Sequence, residues 1–229
     1  MDTAIDIPDN TTTLLSEYQE KLFGNIRFDR VYRIYRNAIA MMHARGFRCE
    51  EPIQTKDQYI SFCIGLMSEV HTIYKFMDRL ALFFTNDSDE RCVVYLFTIP
   101  IKFKKNDMEY ILRFMQCNEC RFCVLITHQK INTMILNLLQ PIQYEVQVFT
   151  EADFSMNKLS HAFQPSFTKL TPQEKQDMLD YYNCSEYDFP LFIHTDPMVK
   201  YHNWNIGDMI RIERYIGTEF PEIYYRVVT

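Results

Sequence analysis

The chain has 229 residues, 47% of them hydrophobic and 24% charged, with a formal net charge of −6: an ordinary globular composition, too acidic for its whole surface to coat nucleic acid. Its seven cysteines, an odd number with no export signal before them, exclude a disulfide scaffold. They predict reduced thiols in a soluble protein of the cell interior, cytosol or nucleus. Met1–Thr13 carries Asp2, Asp6 and Asp9 without a basic residue, so it does not read as a secretory signal, and apolar runs such as Cys92–Phe97 are far shorter than the roughly 20 residues that cross a bilayer.

The first predicted element is a helix over Leu14–Phe23, with Leu14, Leu15, Tyr18 and Leu22 on one face and Gly24 closing it. A second helix should start near Asp29, a good cap, and set Val31, Ile34, Tyr35, Ala38, Met41 and Met42 on a core-facing stripe before Arg45 and Gly46 end it. Thr55 caps a third, through Gln58, Tyr59, Phe62 and Leu66. Leu80–Thr85 and Arg91–Ile99 read as a hairpin around the polar turn Asn86–Glu90. Asp107 opens a helix through Ile111 and Met115. The apolar strand Phe122–Thr127, a helix through Ile135 and Leu139, and the strand Val146–Phe149 follow. Buried strands interleaved with helices predict an α/β (α+β) chain whose helices cover a sheet.

From Ser155 the elements shorten and are punctuated by Pro165, Pro172, Pro190, Pro197 and Pro221, five of the nine prolines. The expected division is therefore an extension over 1–27, an N-terminal domain over 28–154 and a small mixed α/β domain over 155–229. Thr171, Pro172 and Glu174 form a capping box with proline at the first helical position, stabilising a helix start by roughly 1 kcal/mol. That helix should end by Asn183. Asp196 and Pro197 signal another start. Met209–Arg214 alternates apolar with charged residues and should pair with Ile223–Val228 across a turn containing Gly217.

Few constellations could carry chemistry. Cys117, Cys120 and Cys123 have the spacing of a thiolate metal site, with Cys92, Cys184 or His128 as conceivable fourth ligands; the alternative is core packing, since Cys123 opens an apolar strand. No phosphate loop, HExxH or Ser-His-Asp pattern occurs. The basic candidates are Arg27, Arg30, Arg33 and Arg36, spaced at threes, and the run Lys102, Lys104, Lys105. Either set could meet phosphates or be a solvated face.

The C-terminal stretch FPLFIHTDPMVKYHNWNIGDMIRIER, with Phe189, Pro190, Asp196, Pro197, Tyr201, Gly207 and Asp208, runs without a gap in the register LPxI…DPVARYYGxxxGxVVKIxR. Ile223, Tyr224, Tyr225, Arg226, Val227 and Val228 match a YxTYRLV tail. Fixed register over about forty residues is more specific than any single match. The pattern resembles the C-terminal assembly domain of the fifth subunit of cellular RNA polymerases, a family that includes the shared subunit of the nuclear enzymes and its shorter archaeal counterpart. The likeness extends over residues 28–229 and is closest over 161–228. His161, Phe163 and Pro165 match a His-x-Leu-Val-Pro-x-His stretch whose second histidine is replaced by Phe167, and Leu191 stands where the family usually carries arginine.

The resemblance implies a non-catalytic polymerase subunit with no cofactor, no small-molecule substrate and no membrane partner. Its C-terminal domain would anchor on the largest subunit, and its N-terminal domain would form a jaw along downstream duplex DNA. In that jaw the loop His128, Gln129, Lys130 would lie closest to the duplex, with Arg36, Lys102, Lys104 and Lys105 as further DNA-proximal candidates. The family's Thr-Pro-Ser-Ala in this region is replaced by Asn132, Thr133, Met134 and Ile135. The jaw fold is similar to that of restriction-type endonucleases, so a nuclease relative that has lost its active site and serves as an adaptor is the rival: Asp78 lacks a Glu-x-Lys partner. The divergent N-terminal half points to a large DNA virus as a conceivable source.

Overall fold

The computed structural model describes residues 25–137, 144–157, 164–215, 217 and 220–229, with side chains from Phe28 onward. The predicted helix at Leu14–Phe23, together with Leu139 and His161, lies outside the described residues. The chain divides into two compact units, residues 1–156 and 157–229. Both are α+β.

In unit 1 the order is α1 (Asn25–Ala44), β1 (Arg48–Cys49), α2 (Lys56–Glu69), α3 (Ile73–Leu80), β2 (Leu82–Thr85), β3 (Arg91–Phe97), α4 (Lys105–Cys117), β4 (Phe122–Thr127), α5 (Thr133–Leu136) and β5 (Glu145–Thr150), then a 3-10 turn at Glu151–Phe154. The five strands form one sheet in sequence order. β1, β2 and β3 pair antiparallel, whereas β3, β4 and β5 are parallel. Parallel strands covered on both faces need continuous apolar sequence. Accordingly Cys92–Phe97 and Cys123–Thr127 are buried without a break.

α1 buries the expected stripe of Ile34, Tyr35, Ala38, Met41 and Met42 but begins four residues before Asp29, whose carboxylate pairs with Lys56 instead of capping. α2 starts as expected, with the Thr55 side chain accepting from Gln58 N and the Gln58 side chain accepting from Thr55 N. Two strands are shorter than predicted. Leu80 belongs to α3, an element not expected from the sequence, and β3 stops at Phe97, where Ile101 N turns back to Ile99 O at 2.8 Å. The signal for α3 was present: Ile73, Tyr74, Phe76, Met77 and Leu80 are all buried at helical spacing. Its eight residues and the absence of a side-chain cap at Thr72 concealed it.

Unit 2 contains β6 (Ser166–Lys169), α6 (Pro172–Tyr182), a 3-10 turn at Glu186–Asp188, β7 (Leu191–Phe192), α7 (Pro197–His202), β8 (Met209–Arg214) and β9 (Glu222–Val228). Its sheet runs β6-β8-β9-β7. β8 pairs antiparallel with β9 as expected, while β7 joins β9 in parallel. Phe192, Val199, Ile210, Ile212 and Val228 form the core, with Phe167, Met198 and Trp204 against it. Phe167, at the position of the lost histidine, faces Phe192 and Trp204 with ring centroids 6.4 and 6.0 Å away.

Candidate functional site

The motif residues of unit 2 fall into two groups. One group builds the fold. Asp196 caps α7, its Oδ1 accepting from Met198 N at 2.8 Å, with Pro197 at the first helical position and Tyr201 buried in the same helix. Gly207 takes φ +90°, a conformation that favours glycine, and its N–H donates to Val228 O at 2.8 Å. Asp208 Oδ2 accepts from Asn205 N and Lys169 Nζ, each at 2.8 Å, and Val227 is buried in β9. Pro165 is half-buried just before β6.

The second group is exposed to a groove of about 520 Å³. Pro190, Tyr225 and Arg226 line it together with Tyr182, Phe189 and Tyr224. Arg226 is held in place: Nη1 donates to Leu191 O at 3.0 Å and the guanidinium lies 6.0 Å from the Phe192 ring centroid. Leu191 itself is 53% exposed. Large exposed apolar groups continue around this unit at Tyr181, Tyr187 and Ile193. A concentration of that kind marks a binding surface more often than a solvent face. Sequence reading missed Lys175, which ion-pairs with Glu186 and donates to Gly207 O at 2.8 Å, tying α6 to the Gly207 turn.

In unit 1 the basic candidates meet at one end of the sheet. Lys102, Lys104 and Lys105 follow the carboxyl end of β3, and His128, Gln129 and Lys130 follow that of the adjacent parallel strand β4. All three lysines of the first run are exposed, with Lys105 also reaching Glu109 at 3.4 Å. Gln129 and Lys130 are exposed, and His128 is half-buried with Nδ1 3.0 Å from Glu151 Oε1. The α1 arginines diverge. Arg30 pairs with Glu151 at 2.9 Å, Arg33 is exposed, and Arg36 leans on Gln54 O at 3.4 Å, at the opposite edge of the helix sector. The Arg27 side chain is outside the described residues.

The cysteine run does not converge on an ion. Cys117 is exposed, whereas Cys120 and Cys123 are buried, and the described residues contain no group of three or more ligand side chains placed to hold a metal. Burial pushes the thiols of Cys92 and Cys120 up to about 12 and about 11, and that of Cys123 upward as well, which disfavours the thiolate that binds metal. Asp78 has a structural employment. It accepts from Tyr95 OH at 2.8 Å and Tyr110 OH at 2.6 Å, and burial raises its carboxyl to about 6. The nuclease reading gains no support from it.

Among the described residues no helix is long and apolar enough to cross a membrane. Residues 156–228, which take in nearly all of unit 2, match the family described as RNA polymerase Rpb5, C-terminal domain. Beyond that match, the chain is similar to proteins named as subunit 5 of DNA-directed RNA polymerases. It is 31% identical over 140 residues to DNA-directed RNA polymerase subunit 5 of Acanthamoeba polyphaga mimivirus, an alignment that takes in 58% of this chain and 65% of the viral protein. It is 23% identical over 207 residues to subunit RPABC1 of DNA-directed RNA polymerases I, II and III of Caenorhabditis elegans, covering 87% of this chain and 95% of that one. The plant relative, DNA-directed RNA polymerase V subunit 5A of Arabidopsis thaliana, is 20% identical over 185 residues, covering 80% of this chain and 81% of the relative. Cellular and viral relatives are thus both represented.

Proposed function

We propose that the chain is a non-catalytic subunit of a multisubunit DNA-dependent RNA polymerase. Unit 2 anchors it on the largest subunit, and unit 1 forms part of the jaw along downstream duplex DNA. The observation that carries this reading is the family match over residues 156–228, within which the motif residues either build the domain or line its aromatic groove. The role is positional: a buried interface places a few basic groups along a phosphate backbone and reads no sequence. In a cell the subunit works in the nucleus; in a virus it works at a cytoplasmic replication site or in the virion.

Residues 157–229 form a unit with their own core. That fragment should bind the largest polymerase subunit as the full chain does, and Tyr224→Ala with Arg226→Ala should weaken binding while leaving the fragment folded. A folded fragment that does not associate refutes the anchoring role.

A further inference from the structure

The antiparallel side of the sheet in unit 1 ends at β1, which among the described residues pairs only with β2: Arg48 lies opposite Thr85 and Cys49 opposite Phe84. Glu50 N donates to Phe83 O at 3.0 Å, so Glu50 turns its backbone groups toward β2. Along an antiparallel strand, consecutive residues turn those groups to opposite sides. The N–H and C=O of Cys49 therefore point away from β2, and among the described residues neither has a hydrogen-bond partner. An unpaired edge of this kind is a template for a further strand.

Beside that edge lies a cavity of about 220 Å³, bordered by Cys49 and Glu51 on the strand side and by Phe62, Arg79 and Ala81 from α2 and the end of α3. The buried rings of Tyr35 and Tyr59, centroids 4.8 Å apart and tilted by 46°, also line it, and Phe62 stands 39% exposed at its border. An apolar cavity of roughly 150 Å³ takes up benzene, so this one has room for a single aromatic side chain. Glu51 and Arg79 are both exposed, and among the described residues neither has an ion-pair or side-chain hydrogen-bond partner. Glu50, by contrast, is held by Arg91 at 3.0 and 3.1 Å.

We infer that the edge of β1 and this cavity form a docking site for an extended protein segment, which adds as a strand beside Cys49, inserts one aromatic side chain into the cavity, and sets a basic residue against Glu51 and an acidic one against Arg79. Three features ask for the same occupant. A strand supplies both partners that the Cys49 backbone lacks, with pockets for alternate side chains giving specificity. An aromatic ring packs favourably against tilted rings such as those of Tyr35 and Tyr59. Side chains two positions apart share one face of a strand, so residues on either side of the aromatic anchor reach the two rim charges. A polyanion would suit Arg79 but be repelled by Glu51. The site goes beyond the polymerase reading and does not depend on it.

The test pans the full chain against a displayed library of random dodecapeptides, then titrates the enriched sequences, as synthetic peptides, into the isotopically labelled chain. The expected consensus is one aromatic residue with a basic and an acidic residue two positions to either side, and the Cys49 amide resonance should shift on binding. Cys49→Pro removes the outward N–H while leaving the ladder to β2 intact, and should weaken the peptides about 3- to 10-fold for one lost hydrogen bond. Ala81→Phe fills the cavity and should abolish binding. If Cys49→Pro fails to fold, the surface variants Glu51→Lys and Arg79→Glu decide the matter: the first should select an acidic residue in place of the basic one, the second a basic residue in place of the acidic one. No enrichment, a consensus without an aromatic residue, undiminished binding by folded Ala81→Phe, or flanking preferences unmoved by both charge reversals would overturn the inference. None of those results touches co-purification with a polymerase, on which the functional reading stands separately.

Discussion

The two units satisfy their polar groups in different ways. In unit 2 the acidic caps are local, Thr171 with Glu174, Ser185 with Asp188, and Asp196 with Met198, each within three residues along the chain, and the longer ties, such as Lys175 to Gly207 and Lys169 to Asp208, lie outside its interior. In unit 1 the acidic groups of the interior find partners far away in sequence. Asp78 is bound by Tyr95 and Tyr110, Asp107 by Tyr74, and Glu151 by His128 and Arg30. Local caps are exposed and modest in energy, whereas interior carboxylates depend on the whole tertiary arrangement. The contrast predicts that unit 1 is the more sensitive to changes of single interior groups.

The largest effect should come from the core of unit 1. Phe97 is 1% exposed and packs edge-on against Phe103 at 5.0 Å. Phe97→Ala should cost about 3–5 kcal/mol in denaturant unfolding of unit 1. Binding by unit 2 should survive it; simultaneous loss of both would break the comparison.

Next is the pH dependence of Asp78. Its folded carboxyl is raised to about 6 from 3.8, so between those values the folded state holds more protons than the unfolded one. The stability it contributes is therefore present at low pH and lost as pH rises through 6. Relative to Asp78→Asn, the wild-type unfolding free energy should fall by about 2 kcal/mol from pH 3.5 to pH 7, allowing for partial exposure. A flat difference across that range would show that the two tyrosine hydroxyls fully compensate the buried charge.

Smaller effects belong to unit 2. Lys175→Met removes the ion pair with Glu186 and the hydrogen bond to Gly207 O, and should cost about 1 kcal/mol because both partners keep contact with water. Gly207→Ala meets no atom within 4 Å, so its penalty is the positive φ alone, about 1 kcal/mol or less. Melting midpoints of the two variants would measure both. A larger Gly207→Ala effect would mean that the turn has no room to relax.

The same contrast explains what could be read from sequence. The capping boxes at Thr55 and Thr171, the Asp196–Pro197 start and the apolar runs of β3 and β4 are encoded within a few residues, and they lie where the spacing put them. The two-residue strands β1 and β7 were illegible because they exist only through pairing with distant strands. α3 was obscured by its length, and the Asn25 start of α1 by the strong cap signal of an Asp29 that pairs with Lys56 instead. At the candidate sites, Pro190, Tyr225 and Arg226 were legible through the motif register. Glu151 was not, because a lone glutamate after a strand carries no sign of the arginine and histidine that the fold brings to it.

The central claim, that this chain is a polymerase subunit, is tested most directly by purifying the tagged full-length chain from its native source and identifying by mass spectrometry what accompanies it. The account predicts two very large polymerase subunits at equal stoichiometry with the tagged chain. A chain that purifies alone, or with proteins unrelated to transcription, would contradict it.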